Sequence, residues 1–451
     1  MSGFLDSMPT RMVRALEMLR AGVRALETKV PGEYLVPSQS GQGFYRVRGV
    51  GIGDLSPACE CDDFLDRLAP CKHVYFAQLW ILQPGDIPTI PEHHPSQRRR
   101  VVDWPIYNRA QTEEERLIPN LLKELCAGIP EPERNPHQAG RPPTPLRDQY
   151  FCAIEKVRSG KGCRRSAYSR VEFVQDGRID DVPGWTATSD LLRQPEVTPV
   201  LLDMVARSVL PLRAIENRCA VDKTGLRTTL FHYYKKERYT PTRENIWLGL
   251  HALVGIRTHA ILSAEVTAGS AADGPVMPLL LERAAAAGFR LQEILADKAY
   301  GSRRNFSVAD EYGALLFSPP KSNATGVAKG SPLYHKMYHY FLSDPESFER
   351  HYGDRAQAEA AFSSFKQVLG ETIRSRTFDA QRNEVLCKVV SHNLRMLVHA
   401  MLECGVLPDF LAPHSPGAVD LPVGLPVEAR VKLSENFLGA ESSVGLSPDY
   451  G

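Results

Sequence analysis

Residues 352–366 carry charged side chains at helical spacing, on a predicted helix that Asp354 caps and Gly370 ends. At about 100° per residue, Arg355, Glu359 and Lys366 share a stripe roughly 40° wide. A neighbouring apolar stripe consists of Ala358, Phe362, Phe365 and Leu369. The pattern places Glu359 where a buried face meets a charged partner. From the helix alone, a surface ion pair between Arg355 and Glu359 is the simplest interpretation.

Two further carboxylates, Asp222 and Asp297, end apolar runs that predict buried strands over 218–222 and 291–296. Residues 223–225 predict a turn. In such sheets the functional crevice lies beyond the carboxyl ends of strands. Three carboxylates on separate elements can hold two divalent cations about 4 Å apart, which activate an oxygen nucleophile against a phosphodiester. Carboxylates suit magnesium or manganese, although spacing alone does not select these three from 53 acidic residues.

A second group of potential metal ligands comprises Cys59, Cys61, Cys71 and His73. Three thiols and an imidazole suit tetrahedral zinc, which would contribute much of the folding free energy of so small a module. The alternative is four unrelated buried residues. The Cys-x-Cys and Cys-x-His pairs resemble the SWIM zinc finger, and the likeness covers roughly residues 43–82. This resemblance implies one structural zinc and a module that binds DNA or protein.

The composition sets wide limits on function. The chain has 451 residues, enough for two or three domains, and 54 basic residues nearly balance 53 acidic ones. Net charge therefore gives no general argument for nucleic acid. We expect a cytoplasmic protein without a membrane partner, because no apolar run approaches about 20 residues and the first ten lack a signal-peptide core. Nine cysteines are too few for a disulfide scaffold, so those outside the cluster are expected to be reduced.

The predicted elements indicate a mixed α/β sheet covered by helices after residue 213. Predicted strands lie at 218–222, 246–254, 259–266, 291–296 and 314–317, with helices at 273–287 and 303–312. Asp273 is expected to cap the first of these helices. An insertion near 320–345, rich in Tyr and His, is expected to face DNA, and a long helix over 381–402 to close the core.

The residues before this sheet predict smaller elements. They are a helix over 11–29, a strand over 43–50, helices over 74–82, 146–158 and 195–209, and a short segment over 186–193. The basic turn at 159–165 fits either a helix-turn-helix variant or a plain helical linker domain. The arginine triplet at 98–100 either touches phosphate or is solvated. The predicted division is a zinc module (1–95), a linker (96–144), a helical domain (145–212), a catalytic domain (213–405) and a flexible tail (406–451).

The spacing Tyr352-x2-Arg355-x3-Glu359-x6-Lys366 resembles a signature of the DDE transposases of bacterial insertion sequences. Residues 220–225, Ala-Val-Asp-Lys-Thr-Gly, look like the first acid motif of that family. Residues 295–301, Leu-Ala-Asp-Lys-Ala-Tyr-Gly, look like its second acid motif. The similarity runs from roughly residue 145 to 405.

This resemblance implies an RNase H-like catalytic domain in which Asp222, Asp297 and Glu359 bind two Mg²⁺ or Mn²⁺ ions. Asp222 would be the ligand shared by both ions. The supporting residues are Lys366 and Arg355, expected at DNA phosphate, and Tyr352, expected either at the terminal nucleotide or packed in the core. Relatives often carry a small hydroxyl residue where this chain has Lys223, which is expected to pair with Asp222 or with DNA.

The resemblance further implies a transposase that binds terminal inverted repeats, cleaves the DNA ends and joins them to a target. Its partners would be double-stranded DNA and at least one further copy of the chain. Two alternatives remain open: a domesticated DNA-binding regulator without catalysis, and a structure-selective nuclease on the same fold.

Overall fold

The computed structural model describes residues 9–39, 43–53, 55–82, 90, 102–132, 143–228 and 247–410. The chain divides into two compact units. The first, called the sheet unit below, comprises Met1–Arg100 and Glu216–Thr372; the second, called the helical unit, comprises Val101–Ile215 and Ile373–Gly451. The arginine triplet at 98–100 and most of the predicted tail, residues 411–451, lie outside the described residues.

The N-terminal part of the sheet unit is a small antiparallel sheet with helices. Its elements are α1 (Thr10–Arg20), β1 (Leu26–Glu27), β2 (Tyr34–Pro37), β3 (Phe44–Arg48), β4 (Ala58–Cys59), α2 (Asp62–Leu65) and α3 (Lys72–Trp80). The strands pair in sequence order. The predicted strand at 43–50 and the predicted helix at 74–82 are therefore present as β3 and α3. The predicted helix at 11–29 stops at Arg20, because Gly22 has a φ of 75° that turns the chain.

The helical unit is built around one long helix. Its elements are α4 (Trp104–Ala127), α5 (Leu146–Arg158), α6 (Ala167–Gln175), α7 (Ala187–Leu192), α8 (Val197–Ser208) and, after the sheet, a helix over Phe378–Cys404. This last helix packs against α4, α5, α7 and α8. It therefore lies in the core of the helical unit, whereas the sequence predicted that it closes the catalytic core.

Helix α4 occupies part of the segment 96–144, where the sequence predicted a linker. Its residues Leu117, Leu121 and Leu125 are buried at a spacing of four, which places them on one face of the helix. Pro119 lies inside the helix. A proline removes one backbone hydrogen-bond donor from a helix. Packing of the leucine face outweighs that loss.

The second part of the sheet unit is a mixed α/β layer. Its elements are β5 (Arg218–Thr228), β6 (Trp247–Gly255), β7 (Ile261–Ala268), α9 (Met277–Ala286), β8 (Glu293–Ala296), α10 (Arg303–Glu311), β9 (Leu315–Phe317), α11 (Pro332–Ser343), α12 (Pro345–Tyr352), α13 (Ala356–Leu369) and β10 (Thr372–Ile373); the helix over Phe378–Cys404 is α14. The strand order is β7-β6-β5-β8-β9, and β10 pairs with β5. The predicted mixed sheet flanked by helices is confirmed.

One local prediction in this part is wrong. Residues 223–225 do not form a turn, because β5 continues to Thr228 and pairs with β6 through all three residues. In the segment near 320–345, Tyr334, Tyr338 and Tyr340 are buried, whereas Lys321, Lys329 and Lys336 are exposed. That this segment faces DNA stays a prediction. Among the described residues no helix is both long and apolar enough to cross a bilayer.

Candidate active site

Two of the three acids lie at the same level of the sheet. Strands β5 and β8 are parallel, and their last paired residues are Val221 and Ala296. Asp222 and Asp297 directly follow these two residues in the sequence. Asp297 is therefore at a strand end, as predicted. Asp222 is not, because β5 continues past it, but it lies where the parallel ladder stops.

The third acid, Glu359, is carried by α13, which packs against β5 and β6. The helix buries Ala358, Phe362 and Phe365, in agreement with the predicted apolar stripe. A short 3-10 turn, Gly353–Arg355, joins it to α12. The predicted cap by Asp354 is absent. Its carboxylate is buried and accepts a hydrogen bond from Arg218 instead.

Arg355 connects two of the acids. Its Nη2 atom lies 2.6 Å from Oε1 of Glu359, and its Nη1 atom lies 3.6 Å from Oδ2 of Asp222. The ion-pair interpretation of Arg355 and Glu359 is therefore correct, yet the pair is also part of the acid cluster. The guanidinium supplies positive charge between two carboxylates.

The electrostatics of Asp222 bring Asp297 into the same cluster. Burial raises the pKa of the Asp222 carboxyl, and the charges of Asp297 and Glu359 raise it further. The backbone N–H of Lys223 and the charge of Arg355 act in the opposite direction, but the net shift of the pKa is upward. All three acids thus share one electrostatic site, in which a cation would stabilise the ionised form.

The donor set fits a hard divalent cation, because it consists of carboxylates that repel one another. Of the described residues, however, only the Cys and His cluster brings three or more ligand atoms within 4.8 Å of one another. Glu359 is directed to Arg355. Metal binding by all three acids would therefore require Glu359 to exchange its arginine partner for the cation.

The remaining predicted residues have different surroundings. Tyr352 is half-buried, and burial raises the pKa of its hydroxyl while the nearby Arg355 charge lowers it. Lys366 is half-buried on α13. Lys223 does not pair with Asp222 through its side chain. Its Nζ atom lies 3.0 Å from Oδ1 of Asp273 and donates to the carbonyls of Gly269 and Ala271. Asp273 accordingly serves as an ion-pair partner, and no side-chain cap is formed there.

Sequence reasoning missed Tyr300, which belongs to the second acid motif. Its side chain is 1% exposed, and its hydroxyl has no hydrogen-bond partner among the described residues. Burial raises the pKa of this hydroxyl, as do the charges of Asp273, Asp222 and Asp297. The position of Tyr300, three residues after Asp297, was the available signal. A cleft of about 430 Å³ adjoins this turn, and Gly301, Arg303, Lys321 and Tyr334 are among its lining residues.

Cys59, Cys61, Cys71 and His73 converge into one buried cluster. The Nδ1 atom of His73 lies 3.9 Å from Sγ of Cys59 and 3.8 Å from Sγ of Cys71. These separations match ligands around one tetrahedral zinc ion, for which Zn–S is about 2.3 Å and Zn–N about 2.0 Å. Hydrogen bonds from Cys59 and His73 lower the pKa of Cys71 to about 4, whereas the pKa values of Cys59 and Cys61 are raised. The residues fit zinc.

Residues 214–394 match the family model of the transposase DDE domain. The matched segment contains all three acids, and it excludes the Cys and His cluster. The match supports a transposase or nuclease type of activity on DNA with divalent metals. No solved structure matches the chain.

Proposed function

We propose that this chain is a DNA transposase of an insertion sequence, with Asp222, Asp297 and Glu359 as its catalytic triad. The observation that carries the proposal is the shared electrostatic site of the three acids, inside the segment that matches the DDE domain. The chain would bind terminal inverted repeats, cleave the DNA ends and join them to target DNA. It would act as at least a dimer on DNA.

The proposed reaction requires a cluster of carboxylates that can hold divalent cations where the parallel pairing of β5 and β8 ends. Two Mg²⁺ or Mn²⁺ ions held by the triad would activate the attacking oxygen and stabilise the leaving oxygen. The charges of Asp297 and Glu359 both act on the Asp222 carboxyl. This arrangement suits a ligand shared by both ions. Arg355 orients Glu359 before the cations bind. Lys366, on the same helix, supplies a positive charge for DNA phosphate.

The cysteine and histidine cluster has a structural role in this proposal. One zinc ion would be held by Cys59, Cys61 and Cys71 and by Nδ1 of His73. Thiolate ligands select zinc over magnesium. The two proposed metal sites therefore differ in the type of ligand as well as in their position in the sequence.

The test uses the full chain and a DNA duplex that carries the end of the element flanking its gene. Asp222→Ala, Asp297→Ala and Glu359→Ala should each reduce Mg²⁺-dependent cleavage by at least about 10²-fold and leave DNA binding intact. The matched control is Glu371→Ala. Glu371 is an acid of the same unit whose carboxylate pairs with Arg227 at 3.4 Å, and its loss should leave cleavage unchanged.

The outcomes separate the alternatives. Wild-type cleavage by any one of the three variants contradicts the triad. A wild-type chain that binds the ends but never cleaves them indicates a regulator. Cleavage without joining of the ends indicates a nuclease.

A further inference from the structure

Four buried polar side chains form a continuous hydrogen-bonded network close in sequence to the three acids. Arg218 Nε donates to Oε2 of Glu293 at 2.7 Å, and Arg218 Nη1 donates to Oδ2 of Asp354 at 2.8 Å. His351 Nδ1 donates to the second oxygen of Glu293 at 3.0 Å. All four side chains are at most 9% exposed. We call these residues the buried ionic cluster.

The buried ionic cluster follows the layout of the three acids. Arg218 precedes Asp222 by four residues on β5, and Glu293 precedes Asp297 by four on β8. Arg218 and Glu293 are also register partners across the parallel ladder. Because side chains four apart on a strand point to the same face, Arg218 lies on the face of β5 that carries Asp222, roughly 13 Å along the strand.

The third element joins the cluster through the turn before α13. Asp354 lies in the 3-10 turn that packs against β5 and β8, and it precedes Glu359 by five residues. His351 lies on α12, with its ring stacked on Phe317 of β9. Arg218 of β5 therefore ties its strand both to β8, through Glu293, and to the turn before α13, through Asp354, and His351 ties α12 to β8.

Stability alone does not explain such a cluster, because replacing buried ion pairs with apolar residues is often neutral or favourable. An arginine contributes orientation instead. Its planar guanidinium donates hydrogen bonds in fixed directions, and so it fixes how its two carboxylate partners lie relative to each other. Glu293 and Arg218 keep their charges although they are buried. Burial disfavours ionised Glu293, but His351 and Arg218 lower its pKa overall, and Glu293 and Asp354 raise the pKa of Arg218.

We propose that the buried ionic cluster is a positioning device, which sets the separation of the three acid-bearing elements and hence their affinity for divalent cations. The inference rests on the proposed function. None of the four residues touches DNA or metal in this scheme; they act through Asp222, Asp297 and Glu359.

The first experiment measures Mn²⁺ binding to the full chain without DNA, by the loss of the free-ion electron paramagnetic resonance signal. Asp354→Asn and Glu293→Gln should each weaken Mn²⁺ binding by about tenfold or more, at a temperature where circular dichroism shows them folded. The matched control is Glu265→Gln. It breaks a pair with Arg283 at 2.8 Å on the opposite face of the same sheet, and it should leave the Mn²⁺ affinity within about twofold.

The second experiment separates positioning from stability. The variant Arg218→Met/Glu293→Leu/Asp354→Leu/His351→Phe replaces the whole cluster with apolar side chains. It should recover thermal stability near that of the wild type, yet keep the weakened Mn²⁺ binding. Wild-type Mn²⁺ affinity in this variant, or in the folded single variants, overturns the proposal.

Amide hydrogen exchange covers the case in which the apolar variant does not fold. In folded Asp354→Asn and Glu293→Gln, residues 353–369 should exchange at least about tenfold faster, whereas Glu265→Gln should not change them. Unchanged exchange in both cluster variants also overturns the inference. Failure of the proposed function looks different: the wild type would then bind no Mn²⁺, or would bind it equally well after Asp222→Ala.

Discussion

At the scale of single residues, two aspartates of the sheet unit differ in their charged neighbours and in their expected effect on stability. Asp354 is buried against the guanidinium of Arg218 at 2.8 Å. Asp222 has Arg355 only at 3.6 Å, and it is repelled by Asp297 and Glu359. Like charges held close together lower the stability of the fold, so the ionised form of Asp222 should destabilise the folded chain until a cation binds.

Asp222→Asn should therefore raise the free energy of unfolding by roughly 0.5–2 kcal/mol at neutral pH, without added Mg²⁺ or Mn²⁺. The folded-state pKa of Asp222 lies above the unfolded value, so the destabilisation is fully present above the folded pKa. As pH falls through that pKa the carboxyl becomes neutral, and the gain from Asn should disappear. Urea unfolding of both chains across the acidic range measures the difference.

The matched variant is Asp354→Asn, which should lower the free energy of unfolding by about 3 kcal/mol, because it leaves Arg218 with one carboxylate fewer in the core. If Asp222→Asn is as destabilising as Asp354→Asn, then Asp222 is a structural acid. Added Mg²⁺ offers a second comparison. It should stabilise the wild type and have little effect on Asp222→Asn.

At the scale of elements, the end of α13 depends on one backbone conformation. Gly370 has φ 74° and ψ 148°, a region that is essentially restricted to glycine. Gly370→Ala should cost about 1–3 kcal/mol of unfolding free energy. Gly353, at φ −59° and ψ −23°, is helical and offers space for a Cβ atom, so Gly353→Ala should stabilise by ~0.4–1 kcal/mol. Equal changes in melting temperature for the two substitutions would show that the backbone conformation of Gly370 does not fix the end of α13.

The same scale shows what local sequence can predict. Alternation and apolar runs predicted the core strands and the mixed sheet, because those signals are local. The turn predicted at 223–225 relied on Lys223 and Gly225, but pairing with β6 extends β5 through both residues. The cap predicted at Asp354 failed for a similar reason, since its partner Arg218 is 136 residues away. Long-range pairs of this kind leave no periodic pattern.

For the candidate site, the motifs predicted the three acids, and helical spacing predicted that Arg355 lies beside Glu359. The approach of Arg355 to Asp222 depends on how α13 packs on β5, which no local pattern encodes. Tyr300 and the buried ionic cluster were missed because a buried tyrosine or arginine reads in the sequence as an ordinary core or surface residue.

At the scale of the whole molecule, the proposed zinc module (residues 43–82) lies in the same unit as the mixed sheet. Helix α3, which begins next to the proposed zinc ligand Cys71, packs against α11, which lies within the segment that matches the DDE domain. Gln78 Nε2 donates to the carbonyl of Thr325 at 2.6 Å, and the Tyr338 hydroxyl donates to Oε1 of Gln78 at 3.2 Å. The Tyr75 hydroxyl donates to the carbonyl of Ser322. Zinc binding should therefore support α11 as well as the proposed zinc module.

We predict that the full chain holds about one zinc ion and that Cys61→Ser/His73→Ala loses it. Because α3 would no longer be anchored, hydrogen exchange should accelerate in residues 320–343 as well as in residues 43–82. Residues 378–404 of the helical unit serve as the internal control and should keep their protection. The melting temperature of the sheet unit should fall by roughly 5 °C or more. A variant that keeps its zinc contradicts the ligand set. Normal protection at 320–343 after zinc loss would show instead that the module folds independently, so that α11 needs only the sheet beneath it.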